Sequence, residues 1–274
     1  EIRLQSPKAV PGLLTRTLWR LLLSGRLKSH WRNGDLYRWR GRLKREGLTT
    51  TVRLELRDLL APKVVLKKPF RWGEDNSSDG QEVTRIKQLV DWELVLSADH
   101  VHSTLRELSD ESWKSVLPVL LEDIQQLLRD ALDLSRELGE ADDYSDRSYW
   151  DLPSITPHWQ NRGFRDWVSL IELLRDAWLM VRSSDSARAL RYAEGWFELP
   201  YPTLKRLALF AASEEDCVQP EQWVDWVLAN DTWWLWCPNT GREVFRLFVL
   251  RGRRLAGALQ GRLERAILAG PPRE

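Results

Sequence analysis

The sequence predicts a mainly α-helical protein: an α-α superhelix of HEAT- or armadillo-like helical hairpins, with a small antiparallel β element near residues 50–97. Three observations lead there. From Asp99 onward, apolar residues recur at helical spacing in segments of 10–20 residues joined by short connectors. The string LLRDA occurs at Leu127–Ala131 and again at Leu173–Ala177, 46 residues apart, within the ~40–47 residue period of such repeats. Sixteen Trp in 274 residues suggest wide helix–helix contacts, since an indole supplies a large apolar area and one N–H that needs an acceptor. The change of pattern divides the chain into residues 1–97, basic and helical with the β element, and 98–274, the helical repeat-like part.

In chain order, PGLLTRTLWRLLLSGRL places Leu14, Leu18, Leu21 and Leu22 on one helical face, with Pro11 near the start. GDLYRWRGRLKREG follows, with Asp35 as N-cap and Gly47 as the stop. The period then changes. In TTVRLELR, Val52, Leu54 and Leu56 alternate with charged residues and suit a strand, although residues 52–61 also admit a helix. KVVLKKPF is short and β-branched, and Pro69 argues for an edge strand. TRIKQLVDWELVL alternates again, with Ile86, Gln88, Val90, Trp92, Leu94 and Leu96 on one face, after the polar loop GEDNSSDGQ.

LPVLLEDIQQLLRDALDLSRELG is the clearest helix. Leu117, Leu120, Leu121, Ile124, Leu127, Leu128, Ala131 and Leu138 keep a 3.6-residue period, and Gly139 sits at the C′ position. Further helices are predicted in RDWVSLIELLRDAWLMV, SARALRYAEGWFEL, YPTLKRLALFAAS, PEQWVDWVLAN, GREVFRLFVLRG and GALQGRLERAILAG.

Charge is unevenly spread. Residues 1–72 hold 18 Lys+Arg and 5 Asp+Glu, whereas residues 74–146 hold 19 acidic and 6 basic groups. The counter-charge lies in the same chain, which favours intramolecular or interdomain pairing. Arg38, Arg40, Arg42, Lys44 and Arg45, interleaved with aromatics in YRWRGRLKREG, are the candidate interaction residues of this segment. Docking on an acidic protein surface is the favoured reading, and nucleic acid is the alternative partner of residues 1–72. Two Cys form no disulfide framework and point to reduced thiols in a cytoplasm. No apolar run reaches the ~18 residues a membrane span needs. A chain that starts at Glu1 reads as a processed product or an excised piece of a longer protein.

His158, Gln160, Asn161 and Arg162 cluster in SITPHWQNRGFRDW, before a helix expected to start near Phe164. They are candidate interaction residues, and the favoured role is structural: a connector between helices must satisfy its backbone groups, which Asn and Gln do well. DDYSD, Asp142 to Asp146, is similar to the Asp-rich magnesium motif of all-helical prenyl-transferring enzymes. It follows Gly139 in a loop and has no second acidic motif, so a solvated loop or helix cap is expected. His100 and His102 stand two apart without a third ligand of matching spacing, and His30 stands alone beside Trp31. Phosphate-loop, dinucleotide-loop, nucleophile-elbow and zinc-protease signatures are missing from the sequence. The expectation is a segment without catalytic, cofactor or metal residues. A hydrolase or transferase using His158 with Asp142, Asp143 or Asp146 is the reading from a third class.

The strings LVDWELVLSADHVHSTLREL, ALDLSRELGEADDYSDRSYWDLPSITPHWQNRGFRDWVSLIELLRDAW, YPTLKRLALFAA, WWLW, REVFRLFVL and LERAILAGPPRE, spread over roughly residues 85–274, resemble a family of large multidomain bacterial anti-phage defence proteins. Those proteins join a sirtuin-like NAD-hydrolysing domain or a nucleotide-triphosphatase module to a long helical region. The resemblance implies a helical scaffold or sensor segment downstream of an effector, serving recognition, oligomerisation or autoinhibition.

Overall fold

The computed structural model describes residues 12–28, 35–67, 86, 90–108, 111–161, 165–214 and 217–272. The chain is mainly helical, with one small two-stranded antiparallel sheet. Three helices lead into the sheet: α1 (Leu13–Leu23), α2 (Leu36–Glu46) and α3 (Thr50–Leu59). Strands β1 (Pro62–Lys67) and β2 (Asp91–Leu96) follow, then α4 (Val101–Arg106) and the long α5 (Glu111–Glu137). The remaining helices are the short α6 (Ser148–Asp151), α7 (Ser169–Ser184), α8 (Ser186–Glu198), α9 (Pro202–Ser213), α10 (Pro220–Trp236), α11 (Gly241–Arg251) and α12 (Gly257–Ala269).

Local chemistry explains most boundaries. The Asp35 carboxylate accepts from the backbone N–H groups of Tyr37 and Arg38, and Gly47 ends α2 with φ +68°. Gly139, at φ +80°, takes the left-handed position after α5. All eight apolar positions expected on the buried face of that helical segment are buried.

The strand expected in TTVRLELR is instead α3. The Thr49 hydroxyl caps it by accepting from the Val52 N–H, and Val52, Leu56 and Leu59 are buried at spacings of four and three. Val52 and Leu56 fit either period. Leu54 separates the two: a strand would bury it beside them, and it is exposed. The Trp39 indole N–H then donates to the Val52 carbonyl at 2.8 Å, fastening α2 to α3.

The sheet is antiparallel, with Pro62 opposite Leu96 and Val64 opposite Leu94, and these four residues share its buried face. The alternation expected from Ile86 to Leu96 holds from Asp91 to Leu96, whereas Ile86, expected on the same strand face, is helical, its carbonyl accepting from the Val90 N–H at 3.0 Å. Pro69, Gln88 and the GEDNSSDGQ loop lie outside the described residues, as do Pro11 and His30. The free side of β1 is not bare: Lys28 N–H donates to the Val64 carbonyl and Val64 N–H to the Arg26 carbonyl, a single parallel bridge centred on Leu27.

Beyond the sheet, α5 packs on β1, α3 and α7. The two helices carrying LLRDA are therefore neighbours, with Ala131 and Ala177 wholly buried. α8 packs on α7, α9 on α8, and α11 on α9, while α12 lies on α10. Every residue of α9 is buried, as expected of a helix surrounded by protein. One apolar cluster runs from Leu21 to Leu263.

Indoles join the helices. Trp178 donates to the Ala189 carbonyl at 2.9 Å and Trp196 to Gln125 Oε1 at 2.7 Å. Trp226 stacks on Phe197, ring centroids 4.9 Å apart. α5 also receives the hydroxyls of Tyr192, on Glu122 at 2.8 Å, and Tyr201, on Asp133.

α10 is broken in the middle. Asn230, Asp231 and Thr232 all have positive φ, of 51°, 53° and 68°. Asn and Asp tolerate this conformation, whereas a β-branched residue is strained in it. Thr232→Gly is expected to raise stability by about 1 kcal/mol, read from urea unfolding; a lower midpoint would show that the left-handed turn is not what the sequence prefers.

Burial, with a further push from Asp133, raises the Tyr201 phenol to about 12 from its ordinary 10.0. The folded state thus holds a proton that the unfolded chain releases near pH 10. The contribution is complete below pH 10 and is lost as pH rises toward 12. Tyr201→Phe, which cannot ionise, is expected to flatten the decline in stability over that interval, as measured by thermal melts at stepped pH.

Candidate functional site

The connector from Asp142 to Asn161 carries most of the residues that suggested chemistry. The three carboxylates of DDYSD diverge. Asp142 Oδ1 accepts from the N–H groups of Tyr144 and Ser145 at 2.8 and 2.7 Å, closing a turn. Asp143 pairs with Arg136. Asp146 is buried and accepts from Ser148 and from both the N–H and the hydroxyl of Thr203, the latter two at 2.8 Å. None of these bonds goes to His158. Among the described residues, no three His, Cys, Asp or Glu side chains converge as a metal-binding set. His100 and His102 also part ways. His100 precedes α4 with φ +55°, while His102 Nε2 lies 3.7 Å from Glu172.

Behind the connector lies an enclosed ionic network. Arg206 on α9 is 0% exposed and Glu243 on α11 is 2% exposed. Arg206 Nε donates to Glu243 Oε2 at 3.2 Å, its Nη2 to the Leu152 carbonyl at 2.7 Å and its Nη1 to Ser148 Oγ at 3.2 Å. Glu243 Oε1 accepts from the Ile155 N–H at 2.9 Å, and Arg175 on α7 donates to the Ile155 carbonyl at 2.7 Å. Asn161 closes the far end. Its amide donates to the carbonyls of Ser154 and Thr156 at 2.8 and 3.2 Å, and its Oδ1 accepts from the Ser154 N–H at 3.1 Å. Asn161 is thus a bracket for the connector backbone.

The outer side of the same connector is aromatic. Trp150 is 78% exposed and Trp159 67%. Next to them, Arg242 on α11 donates to Gln160 Oε1 and lies 3.5 Å from His158 Nδ1, which accepts from the Gln160 N–H at 3.2 Å. Among the described residues, Arg242 has no carboxylate partner. One hollow of about 300 Å³ is lined by Tyr149, Trp150, Pro153, Trp159, Gln160 and Arg242. A second, of about 470 Å³, shares Tyr149 and Arg242 and continues over Trp236, Phe245, Phe248 and Ile267. Together they form an aromatic groove with one cation at its middle.

Of the residues proposed from sequence, the structure brings His158 and Gln160 onto Arg242 and buries Asn161 beneath them; Arg162 lies outside the described residues. Sequence reasoning missed Tyr149, Trp150, Trp236, Arg242 and Phe245. A signal was present in α11. Val244 and Leu247 are buried while Phe245 and Val249 are exposed on the other side, so this helix is apolar on two faces.

The basic candidates are largely engaged elsewhere. Arg40 reaches the carbonyl and carboxylate of Glu107, Arg42 pairs with Glu46 and Glu55, and Arg45 lies 3.9 Å from Glu46. Lys44 is also engaged, whereas Arg38 is an exposed side chain. Further pairs join the first 72 residues to residues 91–137: Arg20 to Glu137, Arg26 to Asp130, Lys28 to Asp99, Arg53 and Arg57 to Asp123, and Lys67 to Glu93.

A polar cleft of about 310 Å³ lies between β2 and the end of α5. Its cations are paired, Lys67 with Glu93, Arg147 with Glu140 and Arg165 with Asp151. Burial pushes the Asp151 carboxyl up, against the pull of Arg165 and Arg147. The cleft consumes its own charge and presents no unpaired cation to a ligand among the described residues. No helix among the described residues is long and apolar enough to cross a membrane.

Compared with protein-family models, curated proteins and solved structures, the chain finds no match in any of the three.

The enclosed network sets a strong expectation. Arg206→Met leaves Glu243 buried without its counter-ion, a loss of roughly 3–5 kcal/mol. Arg206→Met with Glu243→Leu removes both charges and is expected to recover a large part of it. Equal losses from the single and double variants in denaturant unfolding would mean that the charge pair is not the stabilising feature.

Proposed function

We propose that this chain is a non-catalytic helical scaffold or sensor segment of a larger bacterial antiviral defence protein. Its helical hairpins stack as an α-α superhelix, and its work is contact with other domains of the same polypeptide or with a partner protein. The defence setting rests on the family resemblance of residues 85–274. The contact role rests on one observation: exposed Trp150, Trp159 and Phe245 gather around Arg242 while most other indoles among the described residues are buried. Trp, Tyr and Arg are the side chains that dominate protein interfaces, and single exposed apolar residues do not form such a cluster.

The order of helix packing, each helix of the second half lying on its sequence neighbour or next neighbour, supports a stack. The nucleic-acid reading has less support. Much of the positive charge of residues 1–72 is paired with carboxylates of residues 91–137, and a backbone-binding track needs free cations in series.

The test is binding of the intact chain to the domains encoded beside it and to proteins of an infecting phage. Trp150→Ala with Trp159→Ala is expected to weaken the interaction by on the order of 2 kcal/mol, roughly 30-fold in Kd. Trp19→Ala, at an exposed indole on α1, should leave it unchanged. Wild-type affinity in the double variant, or no binding by the wild type to either set, would sink the reading.

A further inference from the structure

The chemistry of the groove is more specific than contact alone, and its assignment depends on the contact role proposed for Trp150, Trp159 and Phe245. We infer that its occupant is an extended stretch of protein chain that sets a carboxylate on Arg242 and apolar or prolyl side chains on Trp150 and Trp159.

Charge complementarity supplies the first argument. Arg242 lies at the junction of the two hollows and lines both. Its neighbour Glu243 is turned inward and held by Arg206. Arg246 and Arg182 are paired with Glu214, and Arg262 with Asp225. Among the described residues, Arg242 is the one cation lining either hollow and has no carboxylate partner: Gln160 Oε1 accepts from it, and His158 Nδ1 lies 3.5 Å away. The Gln160 amide orients the guanidinium and carries no charge to neutralise it. A planar guanidinium held in this way is suited to a carboxylate.

Shape supplies the second. The first hollow is shallow and walled by Tyr149, Trp150, Pro153 and Trp159, the kind of aromatic surface on which prolyl and apolar side chains of an extended segment lie. The second is deeper and mostly apolar, between Trp236, Phe245 and Ile267, and takes one larger side chain. A single strand of nucleic acid would also stack on indoles. It needs a row of cations spaced along its backbone, and the two hollows offer a single one, Arg242, among the described residues.

The test is selection of a displayed library of random peptides, about a dozen residues long, against the intact chain, followed by titration of the selected peptides. Enriched sequences are expected to carry Asp or Glu beside Pro, Leu or an aromatic residue. Their affinity should fall roughly tenfold or more on Arg242→Gln, and equally when the peptide carboxylate is changed to its amide. Far-UV circular dichroism of Arg242→Gln confirms that the fold is retained, and the amide peptide tests the same contact on the unaltered protein. Selected peptides that need Trp150 and Trp159 but neither Arg242 nor a carboxylate would overturn this inference and leave the contact surface standing. Peptides indifferent to all three side chains, or none selected, would overturn both. Binding of oligo-dT that depends on Arg242, with no peptide selected, would likewise overturn it in favour of nucleic acid.

Discussion

Arg206 and Glu243 meet inside the second half of the chain, and the arrangement around the groove depends on that meeting. A guanidinium and a carboxylate removed from water each lose several kcal/mol of hydration. They persist because neighbouring polar groups add hydrogen bonds to both. Ser148 and the Leu152 carbonyl take the rest of the guanidinium, and the Ile155 N–H takes the second carboxylate oxygen. The pair thereby ties three pieces remote in sequence: α9, α11 and the connector. Hydrophobic contact alone would hold these pieces together without fixing their register, since apolar surfaces slide and substitute readily. Asp146 extends the constraint by joining Ser148 to Thr203 at the start of α9. This is why α9 can carry Arg206 although no residue of the helix is exposed.

The first half is fixed by different means. Its basic residues reach across to β2, α5 and the residues flanking α4 through many ion pairs, most of them partly exposed and each worth only about 0–1 kcal/mol. They set orientation more than stability. The firmer attachment is apolar and indole-based. Trp39 is wholly buried, packs edge-on to Trp113 of α5 at 5.9 Å and donates to the backbone of α3. Burial of one such ring outweighs several of the surface pairs around it. Arg53 and Arg57 differ from the other cations in converging on Asp123, a largely buried carboxylate that would be costly unpaired.

The legibility of these features in the sequence depends on how local each cause is. Caps and stops depend on neighbours two to four residues away, so Asp35, Gly47 and Gly139 are readable, as is the long stripe of α5. The alternation of β2 is readable because one face of it is buried. Residues 52–57 fit both periods, and only the exposure of Leu54, a tertiary fact, separates them. The left-handed turn at Asn230–Thr232 carries no glycine to announce it. The groove is the least legible. His158, Gln160 and Asn161 stand out because they are close in sequence, yet the first two support a cation 82 to 84 residues away and the third works on its own loop. Proximity in sequence marks the bracket, while the aromatic residues of the groove are scattered over α6, the connector, α10 and α11.

That positioning bears on what the groove is for. Trp150 lies between Ser148 and Leu152, both bonded to Arg206, and Trp159 lies between Ile155 and Asn161, both held by hydrogen bonds. Arg242 immediately precedes Glu243. Trp150, Trp159 and Arg242 are thus each one to four residues from an anchored residue, so the connector has little backbone freedom left to lose. A segment entering the groove would order few groups that are not already ordered, which removes a main entropic penalty of association. A connector needed only to hand one helix to the next would gain nothing from exposing two indoles. Rotating them inward would bury more apolar area at about 25 cal/mol per Å². The structure instead anchors the backbone beneath them and leaves the rings facing solvent.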